Sequence, residues 1–313
     1  MLRFVLRRLL YALPTLFAVL TMVFVLVRIV PGDPTLTILG DQASQEAIEN
    51  LQVRLGLDKS ILAQYLDFML GIFQGDWGTS LVSGNSVLAE VARVLPYTLD
   101  LTVASIILGT LIGVPLGTWS ALHRNRLIDY ATRVVSLLGL SFPAFVSAII
   151  LLLVFAIQLR WFPVISAGDL DDPVARIRSL VLPTVNLGLI MAAYVTRVTR
   201  SSMLEVLGED YIRTARAKGV PWRAVVWRHS LRNALIPVVT VVGLYLGILI
   251  GNSILTEIVF NRPGLGKLMV GAMNQRDYPM LQGLMVIYTF VIVLVNILTD
   301  LTYGLIDPRV KRQ

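Results

Sequence analysis

Six runs without a single Asp, Glu, Lys or Arg, each 18 to 26 residues long, constrain this chain more than any other feature. They occupy residues 9–27, 101–123, 134–159, 179–196, 233–256 and 278–299. A bilayer core about 30 Å thick is crossed by roughly 20 residues of helix, so every run can span it. Backbone amides find no water at that depth and must pair within the segment, which makes the helix the expected form. Composition points the same way: 15% of the 313 residues are charged, against about 25% in a soluble domain. The expected fold is all-α and polytopic, with six transmembrane helices at about 9–30, 97–121, 134–158, 179–196, 233–256 and 281–304 in one membrane domain over 1–313.

Two runs have competing readings. The fourth is the shortest and has a re-entrant segment as its alternative. The first follows Arg3, Arg7 and Arg8, as a signal peptide would. Its 19 uncharged residues exceed the usual 7–15, and no small-x-small site follows, so it reads as a retained span.

The distribution of charge sets the orientation. With the N-terminus inside, the inner segments carry 17 basic residues and the outer segments 9, as the positive-inside rule requires. Both termini are then cytoplasmic, 31–94 is extracytoplasmic, and 197–232 is a cytoplasmic segment that reads as helix throughout. The formal charge of +7 is a topology charge and gives no reason to expect nucleic acid. Turn signals sit at Pro31-Gly32-Asp33-Pro34 and Gly75-Asp76-Trp77-Gly78, and 45–55 reads as a short helix.

Catalytic chemistry finds little support. There is no cysteine, and the two histidines, His123 and His229, fall at span ends. No serine-hydrolase or zinc-protease motif occurs. Gly264-Leu265-Gly266-Lys267-Leu268 lacks the spacing and the following Ser or Thr of a phosphate loop and reads as a turn. Arg28, Asp100 and Asp300 lie at span ends, where an interfacial anchor is the simpler reading than an ion site. Neither a metal nor a cofactor is expected in this chain, which reads as no enzyme.

The inner segment holds the most informative stretch, Glu209 to Pro221. Asp210 suits an N-cap, Lys218 suits the negative helix end, and Gly219 with Pro221 stops the helix. At 100° per residue Tyr211, Ile212, Ala215 and Gly219 share a face, with Arg213 and Arg216 turned away. Such a helix either lies on anionic lipid or seats its small residues against another protein.

The run Tyr211-Ile212-Arg213-Thr214-Ala215-Arg216-Ala217-Lys218-Gly219, followed by 228–237 from Arg228-His229 to Ile236-Pro237, resembles the EAA loop of ABC importer permeases. More narrowly, the chain resembles the first permease subunit of the dipeptide, oligopeptide, glutathione and nickel group. The likeness includes Arg7-Arg8-Leu9, Pro31-Gly32-Asp33-Pro34, Leu55-Gly56-Leu57-Asp58, Gly75-Asp76-Trp77-Gly78, Ser141-Phe142-Pro143, 262–266 (Arg-Pro-Gly-Leu-Gly), 276–279 (Arg-Asp-Tyr-Pro) and Asp307-Pro308-Arg309. It departs from the general Glu-Ala-Ala pattern in having Arg213-Thr214-Ala215, without the leading carboxylate.

The resemblance implies an ABC importer permease in a bacterial or archaeal cytoplasmic membrane, forming half of a pathway for di- or oligopeptides. Glutathione or nickel chelates are the alternative cargo, and a stand-alone channel or carrier is the rival class. The implied partners are a second homologous permease, two ATP-binding subunits that hold ATP and Mg, and an extracytoplasmic substrate-binding protein, with lipid around the spans. The implied ATPase-coupling interface is Tyr211, Ile212, Arg213, Thr214, Ala215, Arg216, Lys218 and Gly219. The implied role of 31–94 is contact with the binding protein, with a structural cap on the spans as the alternative.

Overall fold

A computed structural model describes residues 2–29, 44–54, 56–164 and 172–306. The expected turn at 31–34, Leu55 and the stretch 307–309 lie outside the described residues. The described chain is helical: α1 (Leu2–Ile29), α2 (Gln45–Arg54), α3 (Ile61–Gln74), α4 (Val87–Leu122), α5 (Leu127–Ser141), α6 (Ala144–Gln158), α7 (Pro173–Leu207), α8 (Asp210–Ala217), α9 (Trp222–Val259), α10 (Leu265–Asn274) and α11 (Tyr278–Ile306). Among the described residues five helices are long and apolar enough to cross a membrane, and six if the bent pair α5–α6 counts as one span.

That pair corrects the third expected span. Residues 134–158 do not form one straight helix; α5 and α6 meet at 99° across Phe142-Pro143. Proline lacks the N–H that would continue the ladder and pushes its predecessor out of the helical region. Phe142 accordingly takes φ −81, ψ 130. By length and composition the pair is either one broken span or a re-entrant loop, an alternative raised above for the fourth run only. The fourth run lies inside α7, a continuous 35-residue helix. Its modest hydropathy reflects position, since most of its apolar window is buried inside the protein and need not match lipid.

The chain forms two compact units. One comprises Leu2–Pro96 and Gly264–Leu294; the other comprises Tyr97–Pro263 and the end of α11 from Val295. In the first, Val87, Val91, Leu265, Met280 and Leu284 build the core, and Phe24 packs its ring on Tyr65 and Phe68. Asp277, 2% exposed, organises its loops. It accepts from Ser80 Oγ at 2.5 Å and Leu81 N at 3.1 Å, and it caps α11 through Met280 N at 3.2 Å. Gly264 to Leu268, expected as a turn, instead opens α10, with Leu265 in the core. Helices α3 and α10 end alike: Gly75 and Arg276 take φ of 81 and 52, and the following N–H reaches back to Gly71 and Ala272.

In the second unit α7 is the central helix, and α4 approaches it along Gly109, Gly113 and Gly117. A Cβ on these would sit 2.4 Å from Met191 Cγ, 2.7 Å from Val195 Cβ and 2.6 Å from the Thr196 carbonyl oxygen. In lipid, helix contact gains little from the hydrophobic effect and depends on close backbone approach and polar contacts, which is what small residues every fourth position allow. Polar contacts also cross the helices. Asn186, on α7, accepts from Ser147 Oγ at 2.6 Å and donates to the Ala144 carbonyl at 3.1 Å, at the start of α6 beyond the bend.

Candidate functional site

The second unit carries two ion-pair clusters, and α4 measures their separation. Near its start Asp100 pairs with Arg176, and Arg262 lies 3.8 Å away. Arg262 is fully buried, donating from Nε to the Tyr97 carbonyl, and Thr98 hydrogen-bonds the equally buried Glu257 at 2.6 Å. Near its end Ser120 donates to Asp129 at 2.7 Å. Twenty residues of helix separate Asp100 from Ser120, about 30 Å, one hydrocarbon thickness. The span-end reading of Asp100 therefore becomes a specific one: it is the partner of an arginine from α7.

At the Asp129 end the polypeptide leaves α7 and forms a short connected structure. The segment 197–232, expected to be helical throughout, is in three pieces: the end of α7, α8, and the start of α9. Glu209, not Asp210, occupies the N-cap position, and Asp210 is the first helical residue, 3.2 Å from Arg213. Helix α8 ends in a paired cap, Gly219 N to Arg216 O at 2.9 Å and Val220 N to Ala215 O at 3.2 Å. Gly219 takes φ +78, the left-handed conformation that this cap demands and that side chains resist. A Cβ there would meet nothing within 4 Å, so the requirement is conformational and not steric.

The expected face is split by packing. Ile212 is 1% exposed and Ala215 half-buried, because α8 lies on the π-helical turn Val225–Leu231 of α9. Tyr211 sits at the rim, where its hydroxyl accepts from Asn233 Nδ2 at 2.7 Å. Arg216 stacks on Trp222, 4.0 Å from the ring centroid, and so clamps α8 to the start of α9. Arg213, Thr214, Ala217, Lys218 and Gly219 are exposed. The outward surface is therefore the Thr214–Ala217 side, ringed by cations.

The motif reading missed two exposed aromatics in the same segment: Trp222, 46% exposed and stacked by Arg216 of α8, and Trp227, 61% exposed. Exposed Trp, Tyr and Arg together are the composition of interface anchors. Their alternation with Arg223 and Arg228 in an inner segment was the available signal. The His123 ring meets the carbonyl and ring of Trp119, and no group of metal-ligating side chains occurs among the described residues.

Comparison with known proteins covers the chain from end to end. Residues 113–312 match the family described as binding-protein-dependent transport system inner membrane component, and residues 1–102 match the N-terminal region of such components. The chain is 42% identical over 312 residues to the glutathione transport system permease protein GsiC of Salmonella choleraesuis strain SC-B67, covering 99% of both. It is 40% identical over 311 residues to GsiC of Escherichia coli strain K12, again covering 99% of both. In fold it is similar to a chain of the MetNI methionine ABC transporter in an inward-facing conformation, with TM-score 0.58 and 18% identity, covering 70% of this chain and 96% of that one.

Proposed function

For this chain, which belongs to the family of binding-protein-dependent transport system inner membrane components and is a multi-pass permease subunit of an ABC importer, we propose a short peptide as cargo, with glutathione the first candidate. What supports this is the 42% identity, end to end, to permeases named for glutathione transport. Selectivity in such systems rests largely with a separate binding protein, so the test begins there. The cognate binding protein should bind glutathione or a di- or tripeptide, and uptake of that ligand should require this chain. Preference for a metal chelate over every peptide offered would sink the assignment.

We also propose that the chain makes half of the pathway beside a second homologous permease, above two ATP-binding subunits that hold ATP and Mg. In this reading α8 couples it to one of them. The supporting observation is geometric: a short helix, closed at its C-terminal end by the Gly219 cap and clamped by Arg216 on Trp222, presents an exposed cationic rim. Both termini would be cytoplasmic, in accord with the 17 to 9 division of basic residues. Because the chain has no cysteine, single cysteines report orientation directly. Thr214→Cys should be shielded from an impermeant thiol reagent in sealed cells and Ser83→Cys should react, both positions being exposed. The reverse labelling would overturn the orientation while leaving the family untouched.

A further inference from the structure

In the second unit, at the end that holds Asp129, α5 and α7 enclose a cavity of about 240 Å³. Arg133, Leu137 and Leu140 line it from α5, and Thr196, Arg197 and Arg200 line it from α7. Three guanidinium groups over an apolar floor form an uncommon wall. Arg200 is held by Asp129, and Arg133 is 3.9 Å from the same carboxylate with its side chain 45% exposed. Arg197 has no carboxylate within ion-pair distance among the described residues. The wall thus holds three cations and has one carboxylate, which pairs with Arg200 and lies 3.9 Å from Arg133, so two positive charges stay uncompensated.

Arg133 and Arg197 are also held in place by rings. Their guanidinium carbons lie 4.5 Å from the Tyr130 centroid and 5.2 Å from the Tyr194 centroid. Stacking of this kind fixes the plane of the fork and leaves its N–H edge for an oxyanion. A second cavity, of about 620 Å³, shares Thr132, Ser136 and Thr196 with the first and is otherwise lined almost wholly by aliphatic carbon. Along α7 it reaches from Thr196 to Asn186. Those ten residues rise about 15 Å, the depth of one leaflet.

We propose that these adjoining cavities bind one anionic phospholipid, its phosphate between Arg133 and Arg197 and its acyl chains on Leu137 and Leu140 and in the aliphatic cavity. Charge complementarity selects this occupant. A free phosphate gains nothing from the apolar floor. A transmembrane helix of a second permease would cover the aliphatic cavity but leave both arginines without an anion at the mouth. The proposal rests on the membrane location of the family; the leaflet is the inner one in the orientation proposed above, but binding itself does not depend on that orientation.

Native mass spectrometry of the purified full-length chain with phosphatidylglycerol and phosphatidylcholine tests it without any transport assay, so its failure leaves the importer reading standing. Phosphatidylglycerol should bind preferentially. Each cation near the membrane surface contributes roughly fivefold, so Arg133→Gln with Arg197→Gln should weaken phosphatidylglycerol about 25-fold and phosphatidylcholine, whose phosphate is already compensated by its own choline cation, by much less. Arg133→Lys with Arg197→Lys, which keeps the charge, should retain most of the preference, and Arg178→Gln, exposed at the opposite end of α7, should retain all of it. A photo-crosslinker at Leu137 should capture lipid. Equal binding of the two lipids, a preference that survives the double glutamine variant, displacement by inorganic phosphate, or capture of protein at Leu137 would each overturn the proposal.

Discussion

Arg200 holds the carboxylate of Asp129 with both arms of its fork, Nε at 2.5 Å from one oxygen and Nη2 at 2.8 Å from the other. Asp129 is fully buried and also accepts from Ser120 Oγ and from the Asn125 backbone N–H at 3.0 Å. One carboxylate thereby ties together the end of α4, the turn that follows it, α5 and α7. This is the frame from which α7 delivers the chain into α8.

Removing one member of such a pair leaves the other charge uncompensated, which costs about 3–5 kcal/mol in a dry site. The Asp129 carboxylate left behind is buried but keeps Ser120 Oγ, the Asn125 N–H and, at 3.9 Å, Arg133, so the lower end applies. Arg200→Met should destabilise the full chain by about 3 kcal/mol in thermal or denaturant melts. Arg200→Met with Asp129→Leu should recover a large part of that, because no buried charge remains. A double variant no more stable than the single one would show that the carboxylate's other hydrogen bonds carry the structure.

The glycine seam makes opposite forecasts for chemically identical changes. Gly117→Ala places a methyl 2.6 Å from a backbone carbonyl that cannot step aside, so α4 and α7 must separate, at a cost of about 1–3 kcal/mol. Gly271 is also helical, but a methyl there meets nothing within 4 Å. Gly271→Ala should stabilise by up to about 1 kcal/mol through helix propensity. Parallel melts of both variants decide it; equal effects would mean that the seam is not close-packed.

Asp277 governs the loop 79–86 of its own unit. Asp277→Ala strips an acceptor from buried Ser80, from the Leu81 amide and from the first turn of α11. Buried donors left unpaired cost about 1–3 kcal/mol each. The loop 79–86 should become several-fold more sensitive to limited proteolysis, whereas Asp277→Asn, which keeps one acceptor oxygen, should lie between. Unchanged cleavage in Asp277→Ala would exclude this carboxylate as the loop's anchor.

These contacts mark where the sequence was readable and where it was not. The long apolar runs were legible because the bilayer demands length and the absence of charge, and both are local properties. So was the short helix before Gly219, since an acidic start and a glycine stop are written within a dozen residues. The bend at Phe142-Pro143 was visible as a proline, but its 99° angle depends on what packs against both arms. Partner choice was not legible: Asp129 could have taken Arg124, Arg126 or Arg133 nearby as its hydrogen-bonded partner, yet Arg133 stays 3.9 Å away and the two-armed partner is Arg200, 71 positions on. The face of α8 was misjudged for a related reason. Periodicity places Ile212 beside Tyr211 and Ala215 but cannot say that the chain's own α9 covers that side.

In the coupling role proposed for α8, that covering reverses which substitutions report on docking. Ile212→Ala empties a site that is 1% exposed and should cost about 2–4 kcal/mol of stability. Gly219→Ala should cost about 1 kcal/mol through its left-handed φ alone. Ala217 and Thr214 lie on the exposed side, where substitutions usually stay within about 0.5 kcal/mol. Ala217→Trp and Thr214→Trp should therefore leave the melting curve unchanged. If an ATP-binding subunit seats on that side, the added bulk opposes docking by about 1–3 kcal/mol, a loss of complex of about 5- to 150-fold. Reconstituted with the ATP-binding subunits and the second permease, both tryptophan variants should show depressed ATP hydrolysis and uptake together. Full activity in both, with Ile212→Ala still unstable, would remove α8 from the coupling interface while leaving its structural account intact.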